Sequence, residues 1–600
     1  MTDRPAPAPK TVRIGGASGF WGDSMVAAPQ LVNGGRLDYL VFDYLAETTM
    51  SILAAARAKK PEMGYATDFV DLAMKSVLAE VKRQGIKVVS NAGGINPQGC
   101  ADALRALAAA EGIALRIAVV EGDDVSAQMP ALRAEDRRDM FTGEPLPEKV
   151  LSANAYLGAL PIAAALAAGA EVVITGRCVD SAVTLGPLMH EFGWAADDFD
   201  RLASGSLAGH IIECGCQATG GLHTDWEDIP DWAHIGYPIV ECHADGSFVV
   251  TKPEGTGGKV IRAAVAEQLL YEIGDPANYL LPDVACDFRE VVIEQAGENR
   301  VHVSPAKGRA PPPGYKVSAT QLDGFRCAGS MVMIGIDAEK KARRTAEAII
   351  ERTGEILKAG GQPPFTSTYI EVIGSESLYG PHARTRAVRE VMMRVVANHP
   401  KKDALAMFAR EIAPSGTSWA PGTTSPGGGR PAVSPLVKPF AFTLDKRAVP
   451  MAVVLDGERF AIAVPEPSPA SNPTPLAAPA AWRETGGPMQ AVRLIDLAWA
   501  RSGDKGDLSN IGLIARRPEW LPLLWARVTP EAVKRYLAHL VHGEVERFHL
   551  PGITAINLVL HGALDGGGPS SMRMDPLGKG MAQMLLDMTI EVPRSVAAAL

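Results

Sequence analysis

The chain has 600 residues, 47% of them apolar and 21% charged, with a formal net charge of −9. That length predicts several domains, the apolar share excludes a disordered chain, and a mildly acidic balance without a Lys/Arg block excludes a nucleic-acid partner, whose phosphates need a dense basic face. Seven scattered cysteines, an opening MTDRPAPAPK without a signal-like apolar run, and no uninterrupted apolar stretch of about 18 residues predict a reduced, cytoplasmic protein without a membrane span.

In chain order, the first 200 residues alternate strands and helices. Thr11 to Ile14 is a short apolar strand running into GGASGFWGDS, and Tyr39 to Phe42 is the next, ending at Asp43. A helix is predicted from its cap Thr67 to Gln84, because Phe69, Val70, Ala73, Val77, Leu78 and Val81 share one face. Gly85 suits its stop. Ile86 to Val89 follows as a strand and NAGGINPQG as a loop. An Ala-rich helix then runs from about Gln98 to Gly112, and Leu115 to Val120 is a strand. Ala153 to Ala168, Gly169 and Glu171 to Ile174 repeat helix, glycine and strand. Such repetition marks parallel βαβ units, which bind ligands in loops beyond the carboxyl ends of their strands. The loops in that position are GGASGFWGDS, FDYLAETT, NAGGINPQG, EGDD and TGRCVDS.

From about residue 200 the texture changes. His210 to Trp226 and Thr251 to Val260 are Gly-rich and loop-like. Residues 288 to 336 predict successive short strands (REVVIEQ, NRVHVSP, YKVSATQ, GSMVMIG), followed by a long polar helix, Asp337 to Lys358. Tyr369 to Ile373 is a strand, Arg384 to Ala413 is predicted helical with a basic, solvated start, and Pro414 to Pro435 is an exposed loop. Pro465 to Pro488 has the composition of a semi-rigid linker. Beyond it, Val492 to Ala498 (strand), ARSGDKGDLSN (loop), Thr529 to Val541 (helix), Ile556 to His561 (strand), Gly580 to Met588 (helix) and Thr589 to Val592 (strand) predict a small α+β unit. The expected organisation is a main α/β domain at 1–464 with a mainly parallel sheet. Its βαβ part reaches about residue 200 and a strand-rich α+β part covers 201–464. A linker at 465–489 and a small α+β domain at 490–600 follow.

Many ordered segments resemble one family. VRIGGASGFWGDS, DYLVFDYLAETTMSIL, VVSNAGGINPQGCADAL, ITGRCVDSAVTLGPLMHEFGW, HIIECGCQATGG, YPIVE, TKPEGTGGKV and YEIGDPANYLLPDV are similar to the acyclic terpene utilization (AtuA-like) family. SGDKGDLSNIGLIAR and NLVLHGALDGGGPSSMRMDPLGK resemble the small ferredoxin-like domain often fused to it. The resemblance implies a role in breakdown of branched acyclic terpenes such as citronellol and geraniol, beside acyl-CoA carboxylases, dehydrogenases and hydratases. It brings no assigned catalytic residue.

The candidates therefore come from the residues. In GGASGFWGDS, glycines let the backbone approach a ligand and helix-start amides favour anions. Gly15, Gly16, Gly19 and Gly22 do not match GxGxxG, although Asp43 lies roughly where a ribose-binding acid would. A tight turn, a phosphate or carboxylated acyl site, and a dinucleotide site stay open, with Ser18, Gly19 and Asp23 as contacts. NAGGINPQG offers Asn91, Gly93, Gly94 and Asn96, which can polarise a thioester carbonyl and hold an enolate oxygen, or simply turn the chain. In TGRCVDS, Arg177 can clasp a carboxylate or phosphate or bridge to Asp180, with Ser181 beside it, while Cys178 is buried and inert. ECGCQATGG has no zinc spacing, although His210, His223 and His243 are nearby, and Glu213 is its general-base candidate. Lys252, Thr256, Gly257 and Gly258 suit a CoA diphosphate or a carboxylate, but TKPEGTGGKV lacks GxxxxGK[ST] and reads equally as a hairpin turn. Asp504, Lys505 and Asp507 form either an internally paired docking loop or a CoA contact.

The combined expectation is a hydratase or lyase acting on a branched, carboxylated acyl-CoA. Glu47, Asp123 or Glu213 would be its base, and the NAGGIN loop with Asn91 and the GGASG loop its oxyanion clamp. No metal or redox cofactor is expected, CoA entering as part of the substrate, and a homo-oligomer is expected for this size and class. A non-catalytic acyl-CoA-binding or accessory subunit and a nicotinamide-dependent enzyme are the competing readings.

Overall fold

In the computed structural model, residues 10–600 are described except 386, 467, 470, 484–486 and the side chain of Glu47. The early apolar runs become β1 (Thr11–Gly16), β2 (Tyr39–Phe42), β3 (Lys87–Ser90), β4 (Ile117–Glu121), β5 (Ser152–Ala155) and β6 (Val172–Thr175). Five of them lie in the order β1-β2-β3-β6-β4, and all four of these pairings are parallel. Residues of β2 and β6 are buried throughout, as expected for strands covered on both faces. One face packs against Leu31, Phe69, Met74, Leu78 and Leu104, the other against Ile162, Leu185, Leu207 and Leu269. Antiparallel strands extend both edges, beginning with Ile239–His243 beside β1 and Met451–Leu455 beside β4, to give an eleven-stranded sheet. The sheet is thus parallel only at its centre.

A second sheet is organised by one 21-residue strand, Gly314–Ile334. YKVSATQ and GSMVMIG, expected as separate strands, are two stretches of it. It pairs antiparallel with Val433–Asp445, Glu390–His399 and β5. Two predicted helices fail here for related reasons. The stretch from Ala153 was expected to be helical, but Ser152 to Ala155 pair with Val317 to Thr320, and the helix begins only at Leu160, with Pro161 in its first turn. The stretch Arg384 to Ala413 contains a strand, because Val391, Met393 and Val395 alternate inward at a period of two, and the helix is confined to Lys402–Ile412. The helix expected at Thr67 to Gln84 is α-helical only from Lys75; Phe69–Met74 is a π-helical turn.

The small domain is a four-stranded antiparallel sheet in the order Ala498–Lys505, Leu508–Ala515, Ala555–Leu560, Val545–Leu550. Helices Leu521–Arg527, Pro530–Tyr536 and Met581–Leu586 contribute to its core. ARSGDKGDLSN, expected as a loop, is a β-hairpin that turns at Gly506 with φ +60. Among the described residues, no helix is long and apolar enough to cross a membrane.

One glycine connects the fold to the site. Gly16 ends β1 against the last turn of the helix Phe199–Ile212, where any Cβ would overlap the Ile212 carbonyl oxygen. Gly16→Ala is expected to cost about 1–3 kcal/mol through this overpacking, read as a lowered thermal midpoint.

Candidate active site

A cavity of about 1750 Å3 opens where the loops after β1 and β6, the end of the helix Phe199–Ile212, the second sheet and the small domain meet. Ordinary small-molecule pockets hold about 300–1,000 Å3, so this one suits a long ligand. Its polar groups come from both domains.

On the main-domain side, His210 and Glu213 stand one helical turn apart, and His210 Nδ1 lies 2.9 Å from Glu213 Oε1. Among the described residues, the other ring nitrogen of His210, Nε2, is buried without a hydrogen-bond partner. Burial pulls the His210 pKa down, but the charge and hydrogen bond of Glu213 outweigh it, and the net shift is upward. Burial pushes the Glu213 carboxyl up, with His210 opposing. Arg177 Nη1 donates to Asp180 at 2.7 Å, and its guanidinium lies 4.1 Å from the centre of the Tyr156 ring. Behind them, at the end of β2, Asp43 is buried, and its carboxyl is raised well above the usual range by burial and then by Asp180.

On the small-domain side, Asp504, Lys505 and Lys579 line the same cavity. Lys505 Nζ is 6.0 Å from the centre of the Tyr279 ring, which itself lies 6.1 Å from the His210 ring. A buried acid–base pair, several cationic side chains and a deep cavity can together move a proton and stabilise a developing oxyanion.

Residues 12–455 match the family model described as "Acyclic terpene utilisation family protein AtuA", and residues 492–591 match the AtuA ferredoxin-like domain. The chain belongs to the AtuA family. No curated protein and no solved structure matches it significantly.

In this AtuA-family chain the sequence-derived candidates fall into three groups. Gly19, Asp23, Arg177, Asp180, Ser181 and Glu213 line the cavity. Asp23 accepts from the Gly19 amide at 2.8 Å and from the Tyr237 hydroxyl at 2.7 Å, which fixes the turn after β1.

A second group lies behind the wall. The Ser18 hydroxyl donates to the Asp43 carbonyl at 2.9 Å. Asn91 accepts from the Tyr44 amide at 2.8 Å and donates to the Asp43 carboxylate. Asp123 accepts from Asn154 Nδ2 and from the Arg177 amide, both at 2.8 Å, and burial raises it to about 6. It braces the turn that carries Arg177.

A third group lies outside the cavity wall. Gly93 and Gly94 form a tight turn, with the Gly94 amide donating to the Asn91 carbonyl. Asn96 caps the helix Pro97–Ala110, accepting from the Gly99 amide at 3.1 Å. Lys252 donates to the Thr256 carbonyl at 2.5 Å, while Gly257 and Gly258 pack closely against the carbonyls of Asp231 and Thr219. Glu47 belongs to none of these groups: it opens the helix Glu47–Lys59 between the cavity-lining residues Ala46 and Thr48, and its side chain lies outside the described residues.

The backbone amides of Gly16, Ala17, Gly19 and Gly94 are all engaged within the chain. Among the cations that line the cavity are Arg177, Lys505 and Lys579. His210, Glu272 and Lys579 also line the cavity and were not among the sequence-derived candidates, while Asp504 and Lys505 were read only as a docking loop or a CoA contact. The spacing H-x-x-E at a helix end was the available signal for His210.

Proposed function

We propose that this chain is an acyl-CoA hydratase or lyase of acyclic terpenoid and branched-chain breakdown. The observation that carries the reading is the His210–Glu213 pair on the wall of a cavity that also presents Arg177 and Lys505. In hydration, the pair takes a proton from water as its oxygen bonds to C3 of an enoyl thioester. The charge that develops on the thioester oxygen is met by a cationic side chain. In the lyase variant, the same pair takes the proton of a 3-hydroxyl, and the neighbouring carbon–carbon bond breaks to leave a thioester enolate. Another cation of the cavity wall suits a carboxylate on the substrate, since guanidinium and ammonium groups bind carboxylates well. Exposed Phe20, Met140, Phe141, Leu280 and Leu322 line the same cavity and suit a branched apolar tail.

The test is mass spectrometry of an acyl-CoA panel incubated with the purified full chain. It includes branched enoyl-CoAs, their carboxylated forms and 3-hydroxyglutaryl-type CoAs. A gain of one water identifies the hydratase, and two products identify the lyase. No conversion of any member at high protein concentration, with acyl-CoA binding retained, overturns both in favour of an accessory acyl-CoA-binding subunit.

A further inference from the structure

The small domain does more than close the cavity. Its hairpin tip is set into the wall by contacts that only glycines permit. A Cβ on Gly503 would lie 2.6 Å from Glu272 Cγ and 2.8 Å from the Glu272 amide, and one on Gly567 would overlap the Gly506 carbonyl oxygen. Asp507 locks the two loops together by accepting from the amides of Leu564 and Gly566 at 3.0 and 2.9 Å. Lys579 then bridges the domains. Its Nζ lies 3.3 Å from Asp504 Oδ1 and 3.6 Å from Glu272 Oε1, and it donates to the Tyr271 hydroxyl. Glu272 holds φ at +58, a conformation that a non-glycine residue keeps only where its surroundings impose it, and often at functional sites.

Asp504 differs from the other acids of this interface. Both oxygens of Asp225 are held by Arg516 and Trp499, and one oxygen of Asp507 by two backbone amides. Among the described residues, Lys579 is the one hydrogen-bonding partner of Asp504, at the long end of the range, and the carboxylate lines the cavity. Building on the acyl-CoA reading above, we propose that Asp504 is a second proton-transfer group of the site, delivered by the small domain, with Lys579 as its positioning residue. In hydration, the His210–Glu213 pair accepts the proton lost by water as the C3–O bond forms, and Asp504 gives a proton to C2. Afterwards Asp504 regains one proton from solvent and the pair loses one, so atoms and charge balance. Dehydration runs the same transfers backwards. Burial and the neighbouring Glu272 raise Asp504 to about 6, with Lys579 opposing, so both protonation states are available near neutrality.

The test uses the full chain. Asp504→Asn is expected to lower kcat by about 10²–10⁴-fold while KM stays within about threefold and the thermal midpoint is unchanged. Lys579→Met is expected to move the Asp504 limb of the pH–rate profile to higher pH, because the carboxylate loses its cation; a merely structural lysine would leave that limb in place. Wild-type turnover in Asp504→Asn, or an unmoved profile in Lys579→Met, overturns the proposal. A wild type that converts no acyl-CoA sinks the function reading instead. Asp504 is then judged by the infrared difference spectrum between about pH 5 and about pH 8. A protonated-carboxyl band that vanishes in Asp504→Asn supports a proton-exchanging group, and its absence in the wild type overturns the proposal.

Discussion

Replacing Glu267 with alanine is expected to destabilise the chain by about 3–5 kcal/mol, because it leaves buried hydrogen-bond donors without an acceptor and a buried guanidinium without a nearby negative charge. Glu267 is fully buried, and its carboxylate accepts from His223 Nδ1 at 2.8 Å and from the amide and hydroxyl of Thr224. The Thr224 hydroxyl in turn accepts from the Ala500 amide at 3.1 Å, on the small-domain strand whose far end carries Asp504 and Lys505. Arg501, also buried, feels the Glu267 charge. Nearby, Asp225 accepts two bonds from Arg516, at 2.6 and 2.7 Å, and one from Trp499 Nε1 at 2.6 Å. This seam holds the small domain at the cavity. Alanine would leave His223 and Thr224 without their buried hydrogen-bond acceptor and Arg501 without a nearby negative charge, whereas Glu267→Gln keeps the shape and part of the hydrogen bonding and should cost less. Urea unfolding of the two variants checks this. Equal stability of Glu267→Ala and wild type would rule out the seam as a stabilising element. Because the hairpin hangs from the same strand, Glu267→Ala should also weaken acyl-CoA turnover at temperatures where it remains folded.

Glu213→Gln should reduce acyl-CoA turnover by about 10²–10⁴-fold, the usual contribution of a positioned general base. The variant also tests the coupling. In the wild type, burial lowers the His210 pKa and Glu213 raises it by more. With glutamine the burial persists and the anion is gone, so the pKa of His210 falls and the pH–rate limb it governs moves to lower pH. The stability linkage has the same origin. A histidine raised in the fold contributes stability that is fully present below its unfolded pKa of about 6.5 and is lost as pH rises through the higher folded value. Glu213→Gln should remove that contribution, flattening the decline in stability from mildly acid to alkaline pH. An unchanged pH dependence, of rate and of unfolding alike, would show that the 2.9 Å contact does not couple the two groups.

How much was legible follows the range of the interactions. The five central strands were readable because each is an apolar run between polar loops, and burial on both faces demands that composition. Arg177, Asp180 and Ser181 were readable as residues of the sheet's carboxyl edge, where a parallel sheet presents its loops, and they line the cavity there. β5 was not, since SANA carries little strand propensity and forms a strand only because Val317 to Thr320 lie alongside it. Nor was the role of TKPEGTGGKV, whose phosphate-loop appearance comes from glycines that make room for the Asp231 and Thr219 carbonyls.

By itself, the sequence determined the family, the parallel centre of the sheet and the chemistry-bearing loops, because these rest on local composition and on motifs contiguous in the chain. Tertiary structure alone decided which of those loops share a cavity and which acids are spent on bracing. It also decided that Asp504 and Lys579 line one cavity with His210 and Glu213. Those residues are separated by about half the chain, and the close glycine contacts and buried charges that bring them together act between segments whose neighbourhood no local pattern encodes.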